Sequence, residues 1–218
     1  MPTTDKSTVT TRTHVLCVGA AVLDTIFRVD QLPTREGKIL PTEMLQIAEG
    51  MASSAAYAVA QMGGKVTLWS AVGEDAAGKQ ILQELSDAGI NTSEIVTAKG
   101  ARSALSTILV DPHGERLIVP FYDPALHSVP KTFTDEDLKR FNAVLVDVRW
   151  PALAHEVLKR AKSLGIPAIL DGDVAPVETL KHLGGVASHI IFSEPAAKSL
   201  TERSNAVDIL NSLKLMFK

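Results

Sequence analysis

The sequence has one cysteine, Cys17, among 218 residues. A lone thiol can build neither an internal disulfide nor a thiolate metal cluster. Set inside an apolar run, it reads as core, and the sparing use of cysteine fits a reducing compartment. A cationic excess is also lacking. With 22 Lys and Arg against 25 Asp and Glu, the net charge is −3, which leaves nothing to neutralise a phosphate backbone and removes nucleic acid from the expected partners. The apolar run from Val15 to Val22 is far shorter than the roughly 20 residues a bilayer span needs. Met1 to His14 is rich in Thr and lacks the apolar stretch of a signal peptide. A cytoplasmic protein without a membrane partner is therefore expected. No GxGxxG, GxxxxGK[ST] or GxSxG pattern occurs, so the Rossmann dehydrogenase and P-loop readings lose their main support. The six histidines show neither HExxH nor paired spacing, and no metal site is assigned to them.

What is present is a globular composition, 45% hydrophobic and 22% charged, with enough apolar side chain for a sizeable core. Residues 1–13 are polar without periodicity and read as a disordered leader; residues 14–218 read as one α/β domain. Val15 to Gly19 suits a strand buried on both faces of a parallel sheet. Ala52 to Met62, Ala-rich and free of Pro, predicts a helix stopped by Gly63-Gly64. Val66 to Val72 predicts a second buried strand, and Asp75 could cap a helix from Ala76 to Ala88. The pattern then changes. Ser103 to Val110 and Arg116 to Phe121 flank Asp111-Pro112-His113-Gly114, a hairpin signal, and Ile39 to Ile47 is a third extended stretch. These three pieces predict a small antiparallel platform apart from the α/β part. Strands at Ala143 to Val148, Ala168 to Leu170 and His189 to Phe192 then alternate with helices at Leu153 to Ser163, Val177 to Leu183 and from Ala196 onward. That alternation predicts a parallel sheet with right-handed crossovers.

Chemistry-bearing residues gather where such a sheet binds ligands, outside the carboxyl ends of its strands. Asp24 lies just beyond the first strand; it could accept hydrogen bonds from sugar hydroxyls or serve as a turn aspartate. Gly50 opens a small-residue run through Ser54 at a helix N-terminus. That run either lets an anionic or hydroxyl-rich ligand approach the backbone or packs the helix tightly on the sheet. Lys38, after Gly37, and Arg149, after the apolar strand Val144 to Val148, are candidate anion binders, the first as a point charge and the second through paired donors. Asp171 and Asp173 flank Gly172 at the end of another strand, a pair suited to metal, hydroxyl or phosphate-water contacts, or to a structural turn.

Together these residues resemble the ribokinase-like (PfkB) carbohydrate kinases. The family's Gly-rich entry to a helix reads here as Gly50, Ser54, Ala56, Gly63 and Gly73, followed by Glu74-Asp75-Ala76-Ala77-Gly78, and Asp24 matches the family's sugar-hydroxyl carboxylate. Leu32-Pro33-Thr34 through Lys38, Gly114-Glu115-Arg116, Asp147-Val148-Arg149-Trp150, Leu170-Asp171-Gly172-Asp173 and Phe192-Ser193-Glu194-Pro195 look closest to the sulfofructose kinase branch. The resemblance implies a three-layer α/β/α fold with a mostly parallel central sheet and a small antiparallel β lid, built from about residues 37–49 and 103–123. It implies a homodimer through that lid and ATP-dependent phosphorylation of a hydroxyl on a sugar or anionic sugar derivative, with ATP and Mg2+ as cofactors of the complete enzyme. Asp24, Gly50 and Ser54 would hold the sugar, Lys38 and Arg149 its anionic group, and Asp171, Asp173 and Glu194 would lie near phosphate or metal.

The sequence departs from the family pattern at several points. Glu49-Gly50 replaces a Gly-Gly pair, Ser54 an Asn, and Pro120 a polar lid residue of the sulfofructose branch. Ser193 and Ala196 stand where Asn-x-x-Glu is expected. The Gly-Ala-Gly-Asp segment, which supplies the family's anion hole and catalytic aspartate, has no counterpart up to Lys218. No catalytic residue is therefore assigned, and the chain reads as truncated on its C-terminal side, a sugar-binding half without the ATP half. The alternative is a catalytically inactive fragment that binds sugar or dimerises only.

Overall fold

The computed structural model describes residues 12–128 and 130–217. Residues 1–11 of the expected leader lie outside them, and Thr13 at its end is tied down, its carbonyl accepting the Lys65 N–H at 2.9 Å.

Strand β1 (His14–Val18) shows how the layers arise. Successive strand side chains leave on opposite faces, and here Leu16 and Val18 enter one buried cluster while Cys17 enters another. A strand apolar on both sides needs a cover on both sides. Helices α1 (Met51–Gln61) and α2 (Ala76–Asp87) cover the Cys17 face, with Ala52, Ala56, Ile81 and Leu85 buried there. Helices α3 (Asp135–Lys139), α4 (Pro151–Ser163), α5 (Val177–Gly184) and α6 (Glu194–Thr201) cover the other through Leu138, Val157, Leu158, Leu180 and Leu200. Helix α7 (Ala206–Met216) adds Leu213 to that side.

Between the helix layers runs a five-stranded sheet, all parallel, in the order β11 (His189–Phe192), β10 (Ala168–Gly172), β9 (Ala143–Asp147), β1 and β4 (Lys65–Trp69). The single strand expected from Val66 to Val72 divides at Ser70. That hydroxyl donates to the Gly19 carbonyl at 2.6 Å, and the chain beyond it, β5 (Ala71–Gly73), peels away to pair with β6 (Val96–Ala98).

A second sheet of four strands runs in the order β3 (Glu43–Glu49), β2 (Val22–Arg28), β7 (Ala104–Val110) and β8 (Arg116–Phe121). The expected hairpin is the β7–β8 pair. The platform is not wholly antiparallel, however. Strand β2 lies between β3 and β7 and is parallel to β7, and residues 39–42 precede β3 rather than belong to it. Pro120 sits on β8, an edge strand, where a missing N–H disturbs the ladder least. Because β2 follows β1 after only Gly19, Ala20 and Ala21, this lid sheet grows directly from the carboxyl end of the central sheet.

Candidate functional site

The carboxyl ends of β1 and β9 are joined by a residue that sequence reading left without a role. Asp147, the last residue of β9, is fully buried. Its Oδ2 accepts the N–H groups of Ala20 at 2.7 Å and Ala52 at 3.0 Å, and its Oδ1 accepts the N–H of Arg149 at 2.7 Å. Burial pushes the carboxyl up to about 6, with those three donors pulling the other way. Gly19 makes room for it: at φ 145° it occupies backbone space open to glycine, and a Cβ there would stand 2.1 Å from the Asp147 carboxyl carbon. Ala52 belongs to the first turn of α1, whose N-cap, Gly50, provides no side-chain acceptor. Asp147 thus caps α1 from across the sheet, a placement the helix dipole favours.

This changes the reading of the Gly50 to Ser54 run. Gly50 is in a left-handed conformation at φ 112°, and a Cβ on it would meet the Ala20 carbonyl oxygen at 2.8 Å, so glycine is required here by packing. The Ser53 N–H and hydroxyl both go to the Ala20 carbonyl, at 3.2 and 2.7 Å. With the Ala52 N–H on Asp147, part of the helix N-terminus is closed by the protein itself. Ser54 is exposed, and its hydroxyl reaches the Gly50 carbonyl at 2.8 Å and the Glu49 carboxylate.

Asp24 is not in a turn but inside β2, opposite Ile47 on β3 and Ser106 on β7. It is half-buried. Burial first, and the Glu49 carboxylate second, raise its carboxyl to about 6, while the Ser106 hydroxyl acts in the opposite sense. At neutral pH it is mostly ionised and accepts hydrogen bonds. Tyr122, just beyond β8, closes the distance to the central sheet. Its phenol is raised mainly by burial and feels the charges of Arg149, Asp147 and Asp24. The Arg149 guanidinium carbon lies 5.8 Å from the Tyr122 ring centroid.

Arg149 is held by the end of β10. One terminal nitrogen donates to the Val174 carbonyl at 3.1 Å, and the other lies 3.6 Å from the Asp173 carboxylate. Asp173 also accepts the Ser193 hydroxyl at 2.7 Å. Asp171 is partly buried; burial, then Asp173, raise its carboxyl, and Arg149 opposes them. Glu194 stands apart, exposed at the start of α6 and paired with Lys198 at 2.6 Å, which holds its carboxyl low. Lys38 lies in an exposed loop, in a shallow hollow lined by Asp30 to Leu40 alone. The structure therefore brings Asp24, Arg149, Asp171 and Asp173 to one end of the sheet and leaves Lys38 and Glu194 on outlying segments. Among the described residues no three His, Cys, Asp or Glu side chains converge as a metal-binding group, so Asp171, Asp173 and Glu194 do not by themselves build a seat for Mg2+.

Such a grouping of an ionised acceptor, a phenol and a guanidinium offers the donors and acceptors that a polyhydroxylated ligand needs. The sequence matches the pfkB family of carbohydrate kinases over residues 12–218. This chain belongs to that family. A candidate ribokinase from Agrobacterium tumefaciens is 62% identical in sequence, with a TM-score of 0.91 over 94% of this chain and 67% of that one. The Arabidopsis thaliana ribokinase complexed with ribose and ATP, at 20% identity, shares the fold with a TM-score of 0.73, over 94% of this chain and 68% of its own. Among curated relatives, the Dictyostelium discoideum ribokinase is 28% identical over 49% of this chain and 33% of its own length. The ATP-dependent ribose-1-phosphate kinase of Halopiger xanaduensis is 25% identical over 72% of this chain and 53% of its own. The pfkB chain described here thus spans about a third to a half of those two curated relatives. Among its described residues no helix is long and apolar enough to cross a membrane.

Proposed function

We propose that this chain carries the sugar-binding side of an ATP-dependent kinase that phosphorylates a hydroxyl of a sugar or an anionic sugar derivative. The observation that carries the reading is the placement of Asp24: an ionisable, half-buried carboxylate on the lid strand that leaves the end of β1, beside Tyr122. Asp24 accepts sugar hydroxyls, and the Gly50 backbone and Ser54 border the same strand end. Arg149 receives the anionic group, sulfonate or phosphate, through its guanidinium donors, while Lys38 stays on its outlying loop. ATP, which supplies the transferable phosphoryl group, would approach from the Asp171 and Asp173 side. Sugar binding is assigned to these residues, and no catalytic base is named among them.

Calorimetry with D-ribose, D-fructose and their phosphates tests this. Binding of at least one is expected, and its loss in Asp24→Asn. The ionised carboxylate is the binding form, so affinity should climb as pH rises from 5 to 7. With the carboxyl at about 6, only about a tenth is ionised at pH 5, and affinity there should be about tenfold weaker. No binding by the wild-type chain, or pH-independent binding unaffected by Asp24→Asn, overturns the reading.

The lid also supports self-association. Strand β8 is exposed along its whole length, and Leu105, Leu117, Val119, Phe121 and Met44 are exposed large apolar residues of this sheet. Contiguous apolar surface of this kind marks an interface, and a homodimer through the lid would cover it. Light scattering at micromolar concentration should show a dimer; a clean monomer overturns this part of the proposal.

A further inference from the structure

Two buried side-chain polar atoms among the described residues have no hydrogen-bond partner: Arg149 Nε, within the group described above, and Ser106 Oγ, whose residue is paired with Asp24 across β2 and β7. Buried polar groups are nearly always paired, so each such exception calls for a physical reason. Ser106 is only 7% exposed. On its face of the lid sheet it stands in a lateral row with Ile47, Asp24 and Pro120, opposite one another on adjacent strands. Along β7 its same-face neighbours are Ala104 and Ile108. Ile47, Pro120, Ala104 and Ile108 have no polar side-chain atom. Asp24 is therefore the one polar side chain within this set that the hydroxyl can serve, and it lies beside Ser106 without a closed hydrogen bond between them.

We infer that Ser106 is the positioning residue of the Asp24 carboxylate: its hydroxyl, open in this structure, closes onto one oxygen of the ionised carboxylate and aims the other at a sugar hydroxyl. The inference rests on the sugar-site reading for the ligand and on the strand register for the pair. The charged groups around Asp24 make the role useful. Glu49, from the end of β3, repels the ionised form, and the Tyr122 phenol feels the charges of Asp24, Arg149 and Asp147. Ser106 is the neighbour that favours the charged carboxylate.

The test uses the full chain as wild type, Ser106→Ala and Ser106→Thr. The titration of Asp24, followed by NMR of labelled carboxyl carbons in the unliganded chain, should move to higher pH in Ser106→Ala and return toward wild type in Ser106→Thr. The melting temperature of Ser106→Ala should fall at pH 8, where Asp24 is ionised, and stay near wild type at pH 5, where it is protonated. Calorimetry with D-ribose and D-fructose should show about a tenfold loss of affinity at pH 6 in Ser106→Ala, as expected for a hydrogen bond to a charged group, shrinking by pH 8 as Asp24 ionises anyway. An unchanged Asp24 titration overturns the proposal. So does a fall in melting temperature with no change in pH profile, which would mark a packing role, or a loss of affinity equal at all pH values, which would mark direct contact with sugar. If the wild type binds no sugar but the Asp24 titration shifts as stated, the pairing stands and the sugar-site reading fails.

Discussion

Asp147 and Asp24 are both carboxylates raised to about 6 chiefly by burial, one at the end of the central sheet and one on the lid. Their surroundings differ. Asp147 is fully buried and accepts three backbone N–H groups, which leaves it no role toward a ligand. Asp24 is half-buried, with an unpaired hydroxyl at its side. The parallel sheet uses its carboxylate to fix geometry: β1, α1 and the turn into Arg149 meet at one group. On the proposed reading, the lid keeps its carboxylate for a sugar hydroxyl. The lid can afford this because β2, although continuous with β1, lies in a sheet that is exposed along β8, whereas the central sheet is covered by helices on both faces. A fully paired carboxylate and an open one can therefore share a raised pKa, and the partners, not the shift, tell them apart.

The contrast breaks most visibly at Asp147. Replacing it by Ala leaves three backbone donors in a dry pocket, and each buried donor without an acceptor costs about 1–3 kcal/mol. Asp147→Ala should therefore lose on the order of 3 kcal/mol or more in denaturant unfolding. Asp147→Asn, which retains one carbonyl acceptor, should lose less. Gly19→Ala should resemble Asp147→Ala, because the new methyl would occupy the carboxylate's position. A loss under about 1 kcal/mol in Asp147→Ala would mean that water replaces the carboxylate freely and that the two aspartates are not so different.

Much of the central sheet was legible in the sequence because its signals are local. Apolar runs, Ala-rich helices and a cap at Asp75 that accepts the Gly78 N–H do not depend on distant residues. The misreadings came where tertiary pairing decides. Asp24 and Thr25 interrupt the apolar pattern of β2, so a strand half-buried in a mixed sheet passed for a turn. Ser70 ends β4 through a bond to Gly19, a partner the local sequence does not reveal. Asp24 and Arg149 stand out in the sequence as polar residues past apolar runs, but the structure puts Asp24 inside β2 rather than past a strand end. Asp147 showed the same signal, an acidic residue after a run of apolar ones, but was embedded in that run and passed over. Tyr122 and Ser106 gave no signal, because each matters only through a neighbour on another strand.

Arg149 provides the sharper test of the comparison, since it lies on the central-sheet side and yet is incompletely satisfied. Its terminal nitrogens are engaged by Val174 and Asp173, while Nε is buried without an acceptor. If it belongs with Asp147, as a structural tie between β9 and β10, Arg149→Ala should lower stability and leave ligand preference alone. If it belongs with Asp24, the free donor awaits an anionic oxygen. The second outcome is expected, because the ion pair to Asp173 is long at 3.6 Å and partly exposed, and such pairs contribute little to stability. Arg149→Ala should then weaken a sugar phosphate about tenfold, the equivalent of about 1.4 kcal/mol, while the neutral sugar binds as before. Arg149→Lys should recover only part of the loss, since a point charge cannot reproduce fixed paired donors. Calorimetry on the three proteins with D-fructose and a fructose phosphate separates the cases. Equal affinity for both ligands, unchanged in Arg149→Ala, would assign Arg149 to the scaffold and leave Asp24 as the grouping's main ligand-binding charge.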